Sequence, residues 1–454
     1  MIGKAVHRAD DVIPLGEATR AWFAICLQTF GGPAGQIAVM QRALVDEKRW
    51  LGERRFLHAL NYCMLLPGPE AQQLAVYTGW LLNGTLGGLI AGTLFVLPGV
   101  LALLALSATY VGFGETTVVS ALFAGLAPAV LAIVTQALWR IQRRALTHVS
   151  LVVLAVVAFV ALTVFAVPFP VVVLGAGVAG WSLNRWRPGL AAPAHRGGDG
   201  DDTAALLHDD AVHQEQPSRG RTLRILAIGL PLWLTPVGLA ALLSGGESTY
   251  TQQGLFFSGT ALVTFGGAYA VLAFVADRAV DSYGWLMPGE MARGLALAES
   301  TPGPLIMVVQ FVAFLGAYRD PGALDPWAAG VVASLLVTWV TFVPSFLFIF
   351  LGAPYVERLR GNTALAAALT GITAAVVGVI ANLAVFFAVH TLFTGSAERT
   401  WGPVALLVPH LSTLRWDAVF ITAVAAWLLF GARWSVLRTL GVCALLGLGL
   451  GLLS

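Results

Sequence analysis

Seven long apolar runs constrain the fold of this chain more than any other feature of its sequence. Each run is long enough to cross about 30 Å of hydrocarbon as a helix that rises about 1.5 Å per residue. The runs cover residues 86–111, 118–139, 149–167, 222–243, 327–351, 364–389 and 436–453. Two shorter runs, residues 171–181 and 418–430, each lie one tight turn from a full run, and we predict that they are the short partners of helical pairs. This pattern predicts an all-α polytopic membrane protein.

The composition also argues against a soluble protein. Charged residues make up 11% of the 454 residues, under half of the roughly 25% that is typical of globular proteins. The 50 glycines and 14 tryptophans fit helices that pack closely in lipid and carry aromatic anchors at its edges. Cys26, Cys63 and Cys443 are isolated in the sequence, which argues against a disulfide framework or a structural zinc site.

The chain contains an internal repeat. A shift of 235 positions aligns residues 27–69 with residues 262–304 without a gap, and 14 of the 43 aligned residues are identical, against roughly one in fourteen expected from average composition. The identities include Thr29-Phe30-Gly31-Gly32 on Thr264-Phe265-Gly266-Gly267 and Pro67-Gly68-Pro69 on Pro302-Gly303-Pro304. After an insertion of 11 residues in the second copy, a shift of 246 still aligns Pro98 with Pro344.

A polar stretch separates the two copies. Residues 184–221 are polar and acidic, which predicts a disordered linker. We therefore expect a first repeat at 18–183, an extra transmembrane helix at 222–244 and a second repeat at 245–454. Residues 1–17 lack an apolar run, which predicts a cytoplasmic N-terminal segment without a cleavable signal peptide. Because the extra helix adds an odd crossing, we predict that the second repeat is inverted relative to the first.

Two apolar stretches in each half are interrupted, and each could be a kinked span or a re-entrant hairpin of two half-helices. In the first half, Gly31-Gly32-Pro33 interrupts residues 18–40 and Pro67-Gly68-Pro69 interrupts residues 56–82. If residues 56–82 crossed the membrane once, the basic loops at 42–55 and 140–144 would face opposite sides, which conflicts with the positive-inside rule. A re-entrant hairpin brings both loops to the cytoplasm.

We therefore predict two broken or re-entrant hairpins in each half, followed by transmembrane helices, in the inner (cytoplasmic) membrane. The N-terminus and the linker are then cytoplasmic and the C-terminus is external. Only five of the 26 basic residues lie outside in this topology: Arg278, Arg293, Arg319, Arg399 and Arg415.

The four breaks are candidate anion sites. A break at mid-membrane depth frees backbone N–H groups at the start of the next half-helix, where the helix dipole is positive. The alternative is that the breaks are buried against protein and bind nothing. The candidate substrate-binding residues are Phe30, Gly31, Gly32, Pro33, Gly35, Gln36, Asn61, Pro67, Gly68 and Pro69 in the first half, and Thr264, Gly266, Gly267, Ser300, Thr301, Pro302, Gly303 and Pro304 in the second.

Ionisable residues near the breaks are candidates for coupling or gating. Glu70 and Glu299 flank the two Pro-Gly-Pro breaks, and His58 lies in the preceding half-helix. Glu70 could instead cap the half-helix N-terminus, and His58 could be a structural residue. The cluster Arg42, Lys48, Arg49, Arg54 and Arg55 could draw anions to a cytoplasmic mouth or could serve only to orient the chain.

Motifs of enzymes and of ATP-driven pumps are missing from the sequence. It contains no Walker A motif, no GxGxxG in a strand-turn-helix context, no HExxH and no GxSxG. We therefore expect no enzymatic activity, no cofactor and no metal. The expected partners are a small oxyanion and the lipid bilayer, without nucleic acid, and a homodimer is left open.

The sequence resembles the chromate ion transporter family in its long, two-domain form. The resemblance rests on Phe30-Gly31-Gly32-Pro33-Ala34-Gly35-Gln36, the loop Asp46-Glu47-Lys48-Arg49-Trp50-Leu51 and Leu66-Pro67-Gly68-Pro69-Glu70. It implies efflux of chromate from the cytoplasm and chromate resistance, with sulfate as a structural mimic of this tetrahedral dianion. The second half departs from the pattern, with Ala268 in place of Pro33 and Val271 in place of Gln36. We therefore expect the first half to contact the substrate.

The leading hypothesis is a secondary transporter that exports chromate by alternating access between the two halves. A passive or differently coupled channel or transporter for sulfate or another oxyanion is the alternative. A membrane-bound chromate reductase would need a redox cofactor, for which the sequence has no motif.

Overall fold

A computed structural model describes the chain at residues 13–30, 32–186, 218–265, 267–355, 362–402 and 404–453. The helices described in the first half are α1 (Leu15–Cys26), α2 (Gly32–Gln41), α3 (Glu53–Cys63), α4 (Glu70–Phe113), α5 (Thr117–Ala145), α6 (Val149–Thr163) and α7 (Phe169–Trp186). Then follow α8 (Arg219–Ser244), α9 (Thr249–Val263), α10 (Ala268–Asp277), α11 (Glu290–Ser300), α12 (Val308–Arg319), α13 (Pro326–Gly352), α14 (Thr363–Leu392), α15 (Trp416–Ala426) and α16 (Val436–Leu453).

Polar side chains define where several helices begin. The Thr116 and Ser248 hydroxyls accept backbone N–H groups in the first turns of α5 and α9. Asp325 caps α13, which has Pro326 at its first position, and Asn362 caps α14. These residue types are favoured at N-caps because they satisfy amides that have no partner within the helix.

Six helices among the described residues are long and apolar enough to cross a membrane: Glu70–Phe113, Thr117–Ala145, Arg219–Ser244, Pro326–Tyr355, Thr363–Leu392 and Val436–Leu453. They contain six of the seven runs predicted as full spans, and they confirm a polytopic helical protein. The prediction for residues 149–167 is wrong, because α6 ends at Thr163. Ala166 has a φ of +48°, a value that ends a helix. The following helix, α7, is longer than its predicted run at 171–181.

A small β-hairpin was not expected in this α-helical chain. It lies between α14 and α15 and consists of β1 (Ser396–Trp401) and β2 (Val404–Pro409), which pair in antiparallel register. The amide of Ala405 donates to Val164 O, at the end of α6, with a distance of 2.8 Å. This bond joins the hairpin to the first half.

The interrupted stretches form separate half-helices. α2 has 10 residues and α3 has 11, so each is about 15–17 Å long and too short to cross the hydrocarbon. The rings of Tyr62 in α3 and Tyr77 in α4 are 5.1 Å apart, whereas a continuous helix would separate these positions by about 22 Å. The chain therefore folds back at Pro67-Gly68-Pro69. A second break, with non-helical backbone at Asn83 and Gly84, divides α4 into residues 70–82 and 85–113.

The repeat is visible in the backbone conformation of the two halves. Gly32 and Gly267 have φ values of +76° and +96°, and Gly68 and Gly303 have values of +123° and +105°. A π-helical turn follows α2 at Arg42–Glu47 and follows α10 at Arg278–Ser282. Equivalent positions therefore adopt the same unusual conformations, although most of their side chains differ.

The helices pack in two groups. α5, α6, α7, α14, α15 and α16 form one bundle, and α1, α4, α8, α9, α12 and α13 form the other. Within the first group, glycines let the backbones approach closely. A Cβ added at Gly125 of α5 would lie 2.0 Å from Cys443 O of α16, and a Cβ added at Gly371 of α14 would lie 2.3 Å from Ala176 O of α7.

Candidate functional site

Two backbone hydrogen bonds join the breaks of the first half to the breaks of the second. The Gly68 amide donates to Thr264 O at 2.8 Å, and the Gly303 amide donates to Thr29 O at 3.0 Å. Gly68 and Gly303 are equivalent in the repeat, and so are Thr29 and Thr264. The two bonds are therefore equivalent in the repeat. Together they join the four breaks in two pairs, and each pair contains one break from each half.

Each Pro-Gly-Pro break also packs against a long helix of the opposite half. A Cβ added at Gly303 would lie 3.4 Å from Gly99 Cα of α4, and a Cβ added at Gly68 would lie 3.0 Å from Ser345 Oγ of α13. The shift of 246 makes Gly99 and Ser345 equivalent. Both glycines of the breaks also have positive φ values, so any other residue would be strained there.

The predicted site residues fall into two groups around these contacts. The first contains Gln36 and Gly303, which are bonded to each other, and the second contains Gly68 and Thr264. The remaining predicted residues of the breaks are their neighbours along the chain: Phe30, Gly32, Pro33, Gly35, Pro67, Pro69, Gly267, Pro302 and Pro304. Gln36 links the first group directly, because its Nε2 donates to Gly303 O at 2.5 Å. Gly31 and Gly266 lie outside the described residues.

Three hydroxyls predicted as ligands for the substrate bond to their own helices instead. Ser300 Oγ donates to Leu297 O at 2.8 Å, Thr301 Oγ1 to Ala298 O at 3.0 Å and Thr264 Oγ1 to Thr260 O at 2.6 Å. Asn61 is exposed on α3, near its end. The sequence did not indicate Ser345, whose only signal is its place next to Pro344 in an otherwise apolar run.

The two acidic residues beside the breaks have different surroundings. Glu70 is the first residue of α4 and follows Pro69, the N-cap. Glu299 is 2% exposed, and its Oε1 accepts a short hydrogen bond from Tyr269 Oη of α10. Arg140, in the last two turns of α5, lies within electrostatic range of both groups of this pair. Glu299 is therefore tied to neighbouring helices.

The hairpins of the two halves are covered to different extents. In the second half, α10 packs against α14, and α11 packs against α5 and α16. In the repeat, α2 and α3 are equivalent to α10 and α11. If the first half packed in the same way, α2 would contact α5, and α3 would contact α14 and α7. Among the described residues these contacts are not extensive, and α2 and α3 pack mainly on α4. Within the described part of the chain, the hairpin of the first half therefore has one side that no other helix covers extensively.

The open side of α3 carries a polar stripe. Arg54 and Asn61 are exposed and His58 is half-buried, and the spacing of these residues places them on one face of a helix. The stripe runs from the basic loop towards the Pro-Gly-Pro break. Polar residues on one face indicate contact with water rather than lipid. Of the equivalent second-half positions, Ala296 is fully buried.

The basic cluster lies at the end of this stripe that is farther from the Pro-Gly-Pro break. Arg42, Arg49 and Arg54 are exposed and Arg55 is half-buried. Lys48 Nζ lies 4.7 Å from the centre of the Trp50 ring, in a cation–π contact. The structure thus brings this predicted cluster together with the open hairpin.

An ion pair between a buried carboxylate and a partly exposed arginine closes the corresponding end of the second half. Glu290 is 5% exposed and accepts two hydrogen bonds of 2.7 Å from the Arg319 guanidinium. Tyr110 Oη, from α4 of the first half, donates to Glu290 Oε1 at 2.9 Å and accepts from Arg293 at 3.0 Å. This network ties α11 and α12 to the end of α4. The sequence did not indicate it, because its members lie far apart along the chain.

Among the described residues, no three His, Cys, Asp or Glu side chains cluster in a way that could hold a metal ion. The three cysteines are buried and form no disulfide. The chemistry available at the breaks is therefore hydrogen bonding by neutral donors, together with the positive ends of half-helices.

Comparison with known proteins identifies relatives over nearly the whole chain. A family profile described as Chromate transporter matches residues 16–181 and residues 251–448. The chromate transport protein of Pseudomonas aeruginosa is 32% identical over 94% of this chain and 96% of that protein. The chromate transport protein of Cupriavidus metallidurans is 29% identical over 80% of each. The uncharacterized transporter YwrA of Bacillus subtilis is 28% identical over 32% of this chain and 83% of that protein. No solved structure gives a significant match.

Proposed function

The chain belongs to the chromate transporter family, and we propose that it is a secondary transporter that exports chromate from the cytoplasm. Family membership makes it a membrane transporter and not an enzyme. The names of the Pseudomonas and Cupriavidus relatives support chromate as the substrate. Export would lower the cytoplasmic chromate concentration and so confer resistance.

One observation carries this proposal: the reciprocal bonds from Gly68 to Thr264 O and from Gly303 to Thr29 O. Transporters built from inverted repeats bind substrate where broken helices of the two repeats meet, near the membrane midplane. Two repeats, at residues 18–183 and 245–454, would meet in this way if the helix at 222–244 inverts the second. The separate profile matches in each half support the division.

The unequal covering of the hairpins supports alternating access. The polar stripe of α3 leads from the basic loop to a break, whereas the Glu290–Arg319 pair holds the opposite hairpin against α4. With a cytoplasmic basic loop, the molecule is open inward and closed outward. In the outward-open state we expect the repeats to exchange roles, with α2 against α5 and α3 against α14.

The alternative function is a passive channel for sulfate or another oxyanion. A channel needs a continuous pathway, and the buried network at one end argues against this. Flux into proteoliposomes with an imposed proton gradient distinguishes the two functions. We expect accumulation of chromate against its own gradient, with competition by sulfate because the two dianions have the same shape and charge. Flux that only equalises concentrations would support the channel.

Glu70 is the proposed coupling residue. An ionised carboxylate in the first turn of α4 competes with a dianion for the same helix end, so a protonated Glu70 favours substrate binding. Proton and dianion then leave together as one net negative charge, which an inside-negative membrane potential drives outward. Apparent chromate affinity should therefore fall as pH rises, and Glu70→Gln should remove this dependence. The matched control is Glu299→Gln, because Glu299 is bonded to Tyr269 at another break. An unchanged pH dependence in Glu70→Gln would exclude Glu70 as the coupling group.

The proposed orientation has a direct test. The positive-inside rule places the N-terminus and the linker in the cytoplasm and the C-terminus outside the inner membrane. A reporter that is active only in the cytoplasm, fused after Ser454, should be inactive. A cytoplasmic signal from this fusion would overturn the inverted topology while leaving the family membership intact.

A further inference from the structure

Three buried polar side chains close to the first Pro-Gly-Pro break have atoms without a hydrogen-bond partner among the described residues. They are both amide atoms of Gln72, Oγ1 of Thr341 and Oγ of Ser345. The residues are 0%, 3% and 1% exposed, respectively. A buried polar atom that bonds nothing destabilises the folded protein, so four such atoms in one region call for an explanation.

The two hydroxyls could have bonded to their own helix, as others in the same structure do. Thr338, also in α13, donates to Ser334 O at 2.7 Å, and Thr78 of α4 donates to Leu74 O at 2.6 Å. Thr341 and Ser345 do not make such bonds. Their hydroxyls are therefore available to a ligand.

Gln72 is prevented from making the local bond that its position favours. It is the third residue of α4, where a glutamine side chain commonly accepts the amide of the N-cap residue. The N-cap of α4 is Pro69, which has no N–H group. Its side chain is thus left unbonded at the start of the helix.

These side chains lie on α4 and α13, two helices that pack against each other beside the first break. Ser345 Oγ lies 3.0 Å from the position that a Cβ on Gly68 would occupy, and Thr341 lies one turn earlier on the same face of α13. The first amide of α4 that bonds backward along the chain is that of Gln73, which donates to Pro69 O at 3.0 Å. The preceding amides of Glu70, Ala71 and Gln72 face the break without a backbone acceptor in the helix.

The second Pro-Gly-Pro break lacks every one of these donors. The shift of 235 places Met307 on Gln72, and the shift of 246 places Phe95 on Thr341 and Gly99 on Ser345. The environment of Gly303 supports the correspondence, because the atoms nearest to a Cβ added there belong to Gly99 and to the Phe95 carbonyl. The two breaks have the same backbone, and among the described residues at these equivalent positions only the first break has uncommitted side-chain donors.

We propose that Gln72, Thr341 and Ser345, with the free amides of α4, bind the tetrahedral oxyanion. The site takes residues from both halves, so substrate binding depends on their contact. All of its donors are neutral, and the helix dipole supplies the positive potential. This inference rests on the proposed function, which it deepens by assigning one site to the molecule rather than two.

The test compares anion binding by the purified, full-length protein and three variants. Sodium chromate and sodium sulfate are the probes, and the shift in unfolding temperature with anion concentration is the measurement. Ser345→Ala and Thr341→Val each remove one hydroxyl, and the expected result is about tenfold weaker binding. Neither variant should have a lower unfolding temperature without anion, because neither loses a bond within the protein.

Ser334→Ala is the matched control. Ser334 is also a fully buried serine of α13, but its hydroxyl donates to Gln310 O at 3.1 Å. This variant should bind chromate like the unmodified protein and should have a lower unfolding temperature without anion. Ser345→Ala should weaken anion binding without lowering the unfolding temperature, and Ser334→Ala should do the reverse. A general destabilisation of α13 would change both variants in the same way.

The outcomes separate this inference from the proposed function. If the unmodified protein binds neither anion, the proposed function and this site are both overturned. If it binds chromate, and Ser345→Ala and Thr341→Val bind equally well, the site is overturned and the proposed function stands. If Ser345→Ala cannot be purified, Thr341→Val alone decides, since valine has nearly the same shape as threonine.

Discussion

The two halves of the molecule share their backbone breaks but differ in the side chains around them. Gly68 and Gly303 have similar positive φ values, and each donates to the equivalent threonine of the other half. Around them, the first half has an open hairpin with a polar stripe, and the second has a covered hairpin with the Glu290–Arg319 ion pair. Shared positions therefore join the halves through the same backbone bonds, and unshared positions make the surroundings of the two breaks different.

In the proposed alternating-access cycle, this difference also makes the energies of the two end states unequal. If both halves had the same side chains, the inward-open and outward-open states would have equal energies. The Glu290–Arg319 pair belongs to the second half. In the first half, the position equivalent to Glu290 is occupied by Arg55, which cannot form the same pair. A bond that forms at one end alone favours the state in which that end is closed.

The largest expected effect comes from filling the first break. Gly68→Val places a branched side chain at a positive φ, within 3.0 Å of Ser345 Oγ. Because a misplacement of about 1 Å can cost about 100-fold in rate, we expect a loss of chromate export of that order. Export from cells or inverted vesicles measures it, and the amount of protein in the membrane should not change.

Gly238→Val is the control for this substitution. Gly238 lies within α8, and an added Cβ would meet nothing within 4 Å. Export by this variant should stay close to normal. If Gly68→Val exports chromate as well as Gly238→Val does, the first break has no role in transport.

An intermediate effect is expected at the closed end. Arg319→Met leaves the Glu290 carboxylate, whose side chain is 6% exposed, without its cation. The Arg319 side chain is itself 35% exposed, so solvent reduces the cost below that of a fully buried pair. We expect a loss of about 2 kcal/mol in the free energy of unfolding, measured in detergent. The double variant Glu290→Met with Arg319→Met should recover much of it.

The comparison pair is Arg415 and Asp417, at 2.9 Å, where the carboxylate side chain is 46% exposed. Arg415→Met should change the free energy of unfolding by about 1 kcal/mol or less. Equal losses from the two arginine variants would mean that the Glu290 network contributes nothing special to the closed end.

The sequence predicted six of the seven long spans, the repeat and all four breaks, because each depends on local composition or on order along the chain. It did not predict the β-hairpin at 396–409, which interrupts a chain that is otherwise helical. Nor did it identify Thr341 and Ser345, since a hydroxyl in an apolar run usually bonds to its own helix. Gln36 was correctly placed at a break, but its bond to Gly303 O depends on packing between the halves.

Cysteine labelling at one equivalent pair of positions tests the asymmetry of the two halves most directly. Asn61→Cys lies on the exposed stripe of α3, and Ala296→Cys lies at the equivalent buried position of α11. The three native cysteines are buried and give a low background. With a membrane-impermeant thiol reagent, Asn61→Cys should react rapidly from the cytoplasmic side, and Ala296→Cys should not react from either side. Rapid labelling of Ala296→Cys from outside, or protection of Asn61→Cys from the cytoplasm, would contradict a molecule that is open at the first half and closed at the second.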